Sequence, residues 1–339
     1  MNYRILGPSG LRVSELCLGT MTFGTEWGWG ADYEASKQVF EAYAKAGGNF
    51  IDTANRYTEG TSERFTGEFI ASDREYFVLA TKYTLFSRRN DPNAAGNHRK
   101  NLVQSLEGSL KRLQTGYVDL LWVHAWDFTT PVAEVMRALD DLVRAGKVLH
   151  IGISDTPAWI VAQAQTIALE RGWTPFSALQ IEYSLLQRTP ERDLLPMAAA
   201  FGMALTPWAP LAGGALTGKY LTASEDPKRL APGSARLNER NTRIVQETVA
   251  VAQELGVSAA QVAINWTRQR SQTVIPIVGA RSERQLLDSL GCTSFTIPPA
   301  QMERLDAASA IELGFPHEFL RAEYVRELIY GGYDQRLIR

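Results

Sequence analysis

The feature that most restricts what this chain can fold into is a unit that recurs along nearly all of it: a short apolar strand, a polar loop, then an amphipathic helix. Eight segments read as strands, at residues 14–18, 49–52, 77–80, 117–123, 148–153, 178–181, 203–206 and 273–278. Most are continuous β-branched or large apolar runs rather than alternating ones, as parallel strands buried on both faces require. The intervening helices keep helical spacing. Ala35, Val39, Ala42 and Ala46 mark one face, ended by Gly47-Gly48; Leu102, Leu106, Leu110 and Leu113 mark a second; Val132, Val135, Leu139 and Leu142 mark a third, closed by Gly146. Strands alternating with helices at roughly thirty-residue intervals predict a parallel sheet, and eight such units predict its closure into a (β/α)8 TIM barrel, an α/β fold in one domain over residues 1–339. The competing doubly wound sheet would bind a dinucleotide through G-x-G-x-x-G after the first strand. That strand instead runs into Gly19-Thr-Met-Thr-Phe-Gly24, which lacks the spacing.

Two features decorate the repeat. Residues 3–6 and 11–13 flank Gly7-Pro-Ser-Gly10 and read as an N-terminal β-hairpin, placed to plug the N-terminal mouth of the barrel. The interval between the seventh and eighth strands is more than double the usual one. It holds a loop-helix insertion: a Gly-, Pro- and Ser-containing loop at 212–238 and two helices near 242–255 and 258–270.

A net charge of −2 with mixed signs gives no reason to expect nucleic acid or an anionic membrane as partner. Two cysteines far apart, Cys17 and Cys292, read as buried free thiols in a reducing compartment. The start MNYRILGPSG lacks the pattern of a signal peptide, and no segment has the length of a membrane span, so a cytoplasmic protein is expected. The four histidines, His98, His124, His150 and His317, do not pair at ligand spacing, and no metal site is expected.

Chemistry on a barrel of this kind sits at the C-terminal strand ends, where the loops converge on the axis. Asp52 ends the second strand and Tyr57 follows closely; Lys82 ends the third; His124 ends the fourth; Ser154 and Asp155 end the fifth; Gln180 lies in the sixth and Trp208 follows the seventh. Each alone has a plain structural explanation, such as a turn, a cap or an exposed lysine. Packing does not require Asp, Tyr, Lys and His together at one barrel end. Their chemistry is complementary: a lysine ammonium favours the phenolate and lowers the tyrosine pKa, Asp52 neutralises Lys82, and His124 orients a substrate oxygen. Such a set delivers a proton to a carbonyl oxygen as hydride arrives at carbon, without a covalent nucleophile.

The string Asn49-Phe-Ile-Asp-Thr-Ala-Asn-Arg-Tyr57 resembles the Asp/Tyr motif of the aldo-keto reductases, Ala80-Thr-Lys82 their Lys motif and Val118-Asp-Leu-Leu-Trp-Val-His124 their His motif. Gly152-Ile-Ser-Asp155, Gln180-Ile-Glu-Tyr183 and Trp208-Ala-Pro-Leu211 are similar to the family's cofactor segments, in the same order, and the resemblance runs from Tyr3 to about Leu290. It implies an oxidoreductase that interconverts an aldehyde or ketone with its alcohol using NADPH, with NADH possible, held extended across the barrel mouth. Tyr57, Asp52, Lys82 and His124 would form the catalytic tetrad. Ser154 and Gln180 would hold the nicotinamide carboxamide, and Trp208 would stack on the ring. Gly19, Thr20 and Met21 would line the approach. Leu211, Gly213 and Lys219 would contact the pyrophosphate, and Gly279, Arg281, Gln285 and Asp288 the adenosine end. Asp155 stands where many members carry Asn, which weakens its assignment as a carboxamide ligand.

The segment around Gly152-Ile-Ser-Asp-Thr-Pro-Ala-Trp159 is most similar to the aryl-alcohol-dehydrogenase-like branch. Phe23, Trp27 and Trp29, Trp126 and Phe128, and the C-terminal Phe315, Phe319 and Tyr330 suggest a roomy apolar pocket for an aromatic or bulky small-molecule substrate. Gly213-Gly-Ala-Leu-Thr-Gly218-Lys219 nearly matches a phosphate-binding P-loop, but Tyr220 follows in place of the Ser or Thr that would hold magnesium. After Val278, Arg281 and Arg284 at a strand end and helix start suit a ribose 2′-phosphate. The resemblance also leaves room for a cofactor-binding regulatory subunit of the channel-associated kind, and a homo-oligomer is possible.

Overall fold

The computed structural model describes residues 1–221, 229–231 and 233–337, so residues 222–228 and 232 of the expected insertion loop lie outside the described residues. Two antiparallel strands, β1 (Tyr3–Ile5) and β2 (Arg12–Ser14), form the expected hairpin. Eight parallel strands follow: β3 (Cys17–Gly19), β4 (Phe50–Asp52), β5 (Val78–Tyr83), β6 (Val118–Val123), β7 (Val148–Ser154), β8 (Phe176–Glu182), β9 (Ala204–Trp208) and β10 (Ile277–Val278). Their order is β10-β3-β4-β5-β6-β7-β8-β9. A parallel bridge between Leu205 and Val274 completes the ring, with Leu205 N–H donating to Thr273 O at 2.9 Å and Ile275 N–H to Leu205 O at 2.7 Å. The expected barrel is thus formed.

Among the strands whose bounds differ from the sequence reading, three stand out. The expected first strand, 14–18, is divided: Ser14 closes the hairpin and Cys17–Gly19 joins the barrel. The eighth, expected over 273–278, is regular only at Ile277–Val278, because Pro276 has no N–H to donate; its carbonyl accepts from Cys17 N at 2.9 Å. The third runs on to Tyr83, which leaves Lys82 inside a strand rather than at its end.

Helices α1 (Tyr33–Lys45), α2 (Thr61–Ile70), α3 (Arg99–Leu113), α4 (Val132–Arg144) and α5 (Ala158–Arg171) follow β3 to β7 in turn, each joining one strand to the next. The expected Leu102, Leu106, Leu110 and Leu113 face of α3 is buried, as are Val135, Leu139 and Leu142 of α4. The turn from α1 into β4 is set by Gly47, at φ 84°, and by Gly48, where an added Cβ would fall 2.3 Å from the ring of Tyr43. The Tyr43 hydroxyl lies 2.7 Å from Leu16 O and 2.8 Å from Phe50 O, so this one side chain ties the entry of β4 to the segment before β3. After α6 (Leu194–Ala200) and β9 come the two insertion helices, α7 (Glu239–Leu255) and α8 (Ala259–Arg268), then α9 (Glu283–Leu290) beyond β10.

Inside the barrel, strand periodicity sorts residues by depth. Phe50, Val78, Ala80, Leu120, Trp122, Ala178 and Ala204 share one buried interior cluster with Cys17, Ile275 and Ile277. The next inward positions along the chain are Asp52, Lys82, His124, Ser154 and Gln180, two residues beyond Phe50, Ala80, Trp122, Gly152 and Ala178. Trp122 fills the bore, and only glycine fits beside it: a Cβ on Gly152 would lie 2.4 Å from the indole. From below, Leu6 and Val13 of the hairpin belong to the same interior cluster and are fully buried, so the hairpin does plug the N-terminal end. Leu6→Ala should therefore cost about 2–5 kcal/mol of stability through transfer and cavity terms. Urea unfolding reads this as a lower midpoint at constant slope; a loss below about 1 kcal/mol would show that the plug holds nothing.

Candidate active site

The short β4 strand delivers Asp52 to the C-terminal end of the barrel, and β5, paired with it in parallel register at Asp52 and Ala80, delivers Lys82 two residues later. The Lys82 ammonium is wholly buried and donates to Asp52 Oδ2, to Thr53 O at 2.9 Å and to the Tyr57 hydroxyl at 3.0 Å. Gln180 Nε2 donates to the other Asp52 oxygen at 3.1 Å. Burial works against the ammonium, but Asp52 and Tyr57 more than offset it, and the Lys82 pKa stands above the ordinary lysine value.

Tyr57 begins a tight turn in which Thr58, Glu59 and Gly60 take positive φ values of 45°, 54° and 87° in succession. A β-branched residue in that region is strained and must be held by its surroundings. Thr58 Oγ1 donates to Phe23 O at 2.6 Å and accepts from Ser62 N at 3.1 Å, which fixes the turn against the loop after β3. Burial pushes the Tyr57 hydroxyl up, Lys82 pulls it down, and the net result stays above the ordinary phenol value. Lys82 acts in the expected direction, but the expectation of a net lowering is corrected, because burial outweighs it.

His124 follows β6, with its ring edge-on to Tyr57 at 6.0 Å between centroids. Burial, assisted by Lys82, lowers its pKa to about 3, so the imidazole is neutral. Its Nδ1 and the Ser154 hydroxyl are buried without a hydrogen-bond partner. Asp155 follows Ser154 and accepts from Trp208 Nε1 at 3.0 Å.

These groups border a cavity of about 940 Å3, the size of a site for an extended ligand. Gly19, Met21, Asp52, Tyr57, His124, Ser154, Gln180, Trp208, Leu211, Gly213, Lys219, Gly279, Arg281, Gln285 and Asp288 all line it, so most of the expected residues converge. Lys82 stands directly behind Tyr57. Thr20 does not line the cavity: its hydroxyl bonds Asp52 O at 3.1 Å and Ser62 Oγ at 2.7 Å, in the wall behind β4.

The expected substrate residues divide. Trp27 lines the cavity, tilted against Trp29 and edge-on to Tyr57. Phe23 is core, buried against Phe69. Trp126 is half-buried against the outer core, and Phe128 is 69% exposed; neither borders the cavity. Phe315, Phe319 and Tyr330 of the C-terminal segment do not line it either. Asp288 is tied to Ser258 Oγ and Gln261 Nε2, both at 3.1 Å, and Gln285 Oε1 accepts from Arg281 N at 3.0 Å.

Sequence reasoning missed Arg56, Leu85, Arg229 and Arg236 as lining residues. Arg56 is ion-paired with Glu59 and stacks on Phe86. Its position directly before Tyr57 was the available signal. Arg229 lies over Trp29 at 4.2 Å, and Arg236 pairs with Glu182 at 2.5 Å. Lys219, Arg229, Arg236, Arg281 and Arg284 give one arm of the cavity an anion-attracting wall; burial, then Arg236 and Arg281, depress the Arg229 pKa. The turn Gly213, Gly214 and Gly218, at φ 70°, 91° and 82°, presents bare backbone beside those cations. Among the described residues, no helix is long and apolar enough to cross a membrane, and no group of three His, Cys, Asp or Glu side chains is arranged to hold a metal.

The sequence model of the Aldo/keto reductase family matches residues 15–310. A norsolorinic acid reductase of Aspergillus flavus is 39% identical over 329 residues, covering 94% of this chain and 84% of that protein. An aryl-alcohol dehydrogenase [NADP(+)] of Phanerodontia chrysosporium is 38% identical over 93% of this chain and 88% of its own length. A putative aryl-alcohol dehydrogenase of Saccharomyces cerevisiae is 37% identical over 94% and 89%. The pKa of His124 yields a direct check. In an NMR titration its imidazole should stay neutral from about pH 8 to about pH 5, whereas an inflection near the unperturbed value of about 6.5 would mean that the ring is solvated.

Proposed function

Because the chain belongs to the Aldo/keto reductase family, and so to the oxidoreductases, we propose that it interconverts an aromatic or bulky aldehyde or ketone with its alcohol, using NADPH, with Tyr57 as general acid/base. The observation that carries this reading is the Tyr57 hydroxyl, hydrogen-bonded to a buried, Asp52-paired Lys82 at the edge of the cavity. The relatives named for aryl alcohols and for norsolorinic acid support an aromatic substrate, and Trp27, Trp29 and Leu85 offer it an apolar wall.

The residues present fit a nicotinamide dinucleotide. The partnerless Ser154 hydroxyl and Gln180 would hold a carboxamide, and Trp208 offers a face for the ring, beside Gly19 and Met21. Leu211, Gly213 and Lys219 would meet the pyrophosphate, and Gly279, Arg281, Gln285 and Asp288 the adenosine end. When bound, the cofactor supplies the hydride.

The protein's own part is the proton. Tyr57 is protonated at neutral pH, since its pKa is raised, so the resting state serves carbonyl reduction. As Tyr57 releases its proton to the substrate oxygen, the phenolate forms 3.0 Å from the Lys82 ammonium, which stabilises it where the charge develops. Neutral His124 orients the same oxygen. Tyr57→Phe keeps the ring and removes the donor. It should lower kcat by roughly 10²–10⁴ while cofactor affinity, read by fluorescence titration, stays nearly constant. Activity within a few-fold of the parent would sink the assignment.

Cofactor choice rests on the cationic arm. A ribose 2′-phosphate favours arginine, and Arg281 stands between β10 and the start of α9. Arg281→Ala should weaken NADPH by about 1.5–3 kcal/mol, the scale of a hydrogen bond to a charged group, and NADH far less. Equal weakening of both would place Arg281 elsewhere.

A further inference from the structure

Of the carboxylates that line the cavity, Asp52 is paired with Lys82, and Asp288 is tied to Ser258 and Gln261 at the α8–α9 end. Glu182, close by on β8, is paired with Arg236. Asp155 differs from all of them. Among the described residues no lysine or arginine forms an ion pair with it, and Trp208 donates to it from a neutral indole. The side chain lines the open cavity with Ser154 and Gln180.

The backbone is committed to this placement. Asp155 has φ 40°, a region unfavourable for most side chains, and its N–H is held by Gln180 O at 3.3 Å. Such strain persists only where the surroundings over-determine it. The buried Thr156 contributes, with its hydroxyl donating to Ser154 O at 2.8 Å. Trp208 is aimed in return: a ring that would otherwise rotate about two side-chain bonds is pinned through Nε1, which fixes both the carboxylate and the aromatic face. Burial raises the Asp155 pKa, while the Trp208 bond and Lys82 oppose the rise.

A cavity-facing carboxylate that no protein cation pairs with is a place for a cation in the ligand. The two forms of the cofactor proposed above differ in that respect, since the nicotinamide ring is cationic when oxidised and neutral when reduced. We propose that Asp155 sets the redox preference of the site, its carboxylate favouring the oxidised cofactor over the reduced one. This deepens the cofactor reading and rests on it. By linkage, a group that binds the oxidised ring more tightly makes the bound reduced cofactor the stronger hydride donor. The residue is a tuning group: it neither gives nor takes the proton handled by Tyr57.

The test is a pair of fluorescence titrations at pH 8, with NADP+ and with NADPH, on the intact chain and on Asp155→Asn. Asparagine tolerates positive φ and keeps an oxygen for Trp208, so the substitution removes the charge and little else. The ratio of the NADP+ Kd to the NADPH Kd should rise on the order of ten-fold, mainly through weaker NADP+ binding. A purely structural role would weaken both forms together and leave the ratio in place. A ratio within about two-fold of the parent, with both forms still bound, overturns the proposal. Asp155→Ser, a second neutral variant, must change the ratio in the same direction and decides the matter should the asparagine variant not fold. If the parent protein binds neither cofactor, the cofactor reading itself fails, which is a separate result.

Discussion

A lysine ammonium buried at the centre of a barrel is the constraint on which the site depends. Lys82 is shielded from water on every side, and an isolated charge there would be far too costly to keep. Asp52 is the condition of its existence, and Asp52 reaches it because β4 and β5 are adjacent and in register. The second Asp52 oxygen is held by Gln180 from β8, across the barrel. Three strands far apart in sequence thus converge on one pair of charges. With one partner removed, the uncompensated charge would cost about 3–5 kcal/mol. The same pair that the fold must satisfy is the one that acts on Tyr57.

Much of this was legible in the sequence because it follows from periodicity. Continuous apolar runs identified the eight strands, and the C-terminal ends of those runs placed Asp52, Lys82, His124 and Ser154 together at one end of the barrel. The polar residues at strand ends were then few enough to be read as a group. The hairpin was legible from Gly7-Pro-Ser-Gly10, although its depth of insertion was not; that depends on Leu6 and Val13 meeting side chains from strands throughout the chain.

The failures among the loop residues have a common origin. Phe23, Trp126 and Phe128 lie in the right loops, but a loop can turn a side chain inward, outward or into the core. Phe23 packs on Phe69, a contact that sequence spacing cannot announce. Thr20 sits between two cavity residues and faces away from both, toward Ser62. The pKa of Tyr57 went wrong in another way. A neighbouring charge can be guessed from a motif, but the depth of burial that opposes it is a property of the whole fold. Arg229 and Arg236 escaped because they reach the cavity from the long insertion, whose path has no period.

Trp122 has a consequence for proton traffic. Among the described residues, its indole fills the bore, Gly152 gives way beside it, and Leu6 and Val13 of the hairpin pack the end below. In the proposed reaction, a proton spent by Tyr57 would then be replaced from the front. That is the same opening through which the substrate would enter and which the cofactor would cover. Reloading the acid would then be coupled to departure, the hydroxyl regaining its proton as product and cofactor uncover it. Each turnover would end with the site wet and begin with it dry, and the tryptophan would enforce that order without touching any reacting atom.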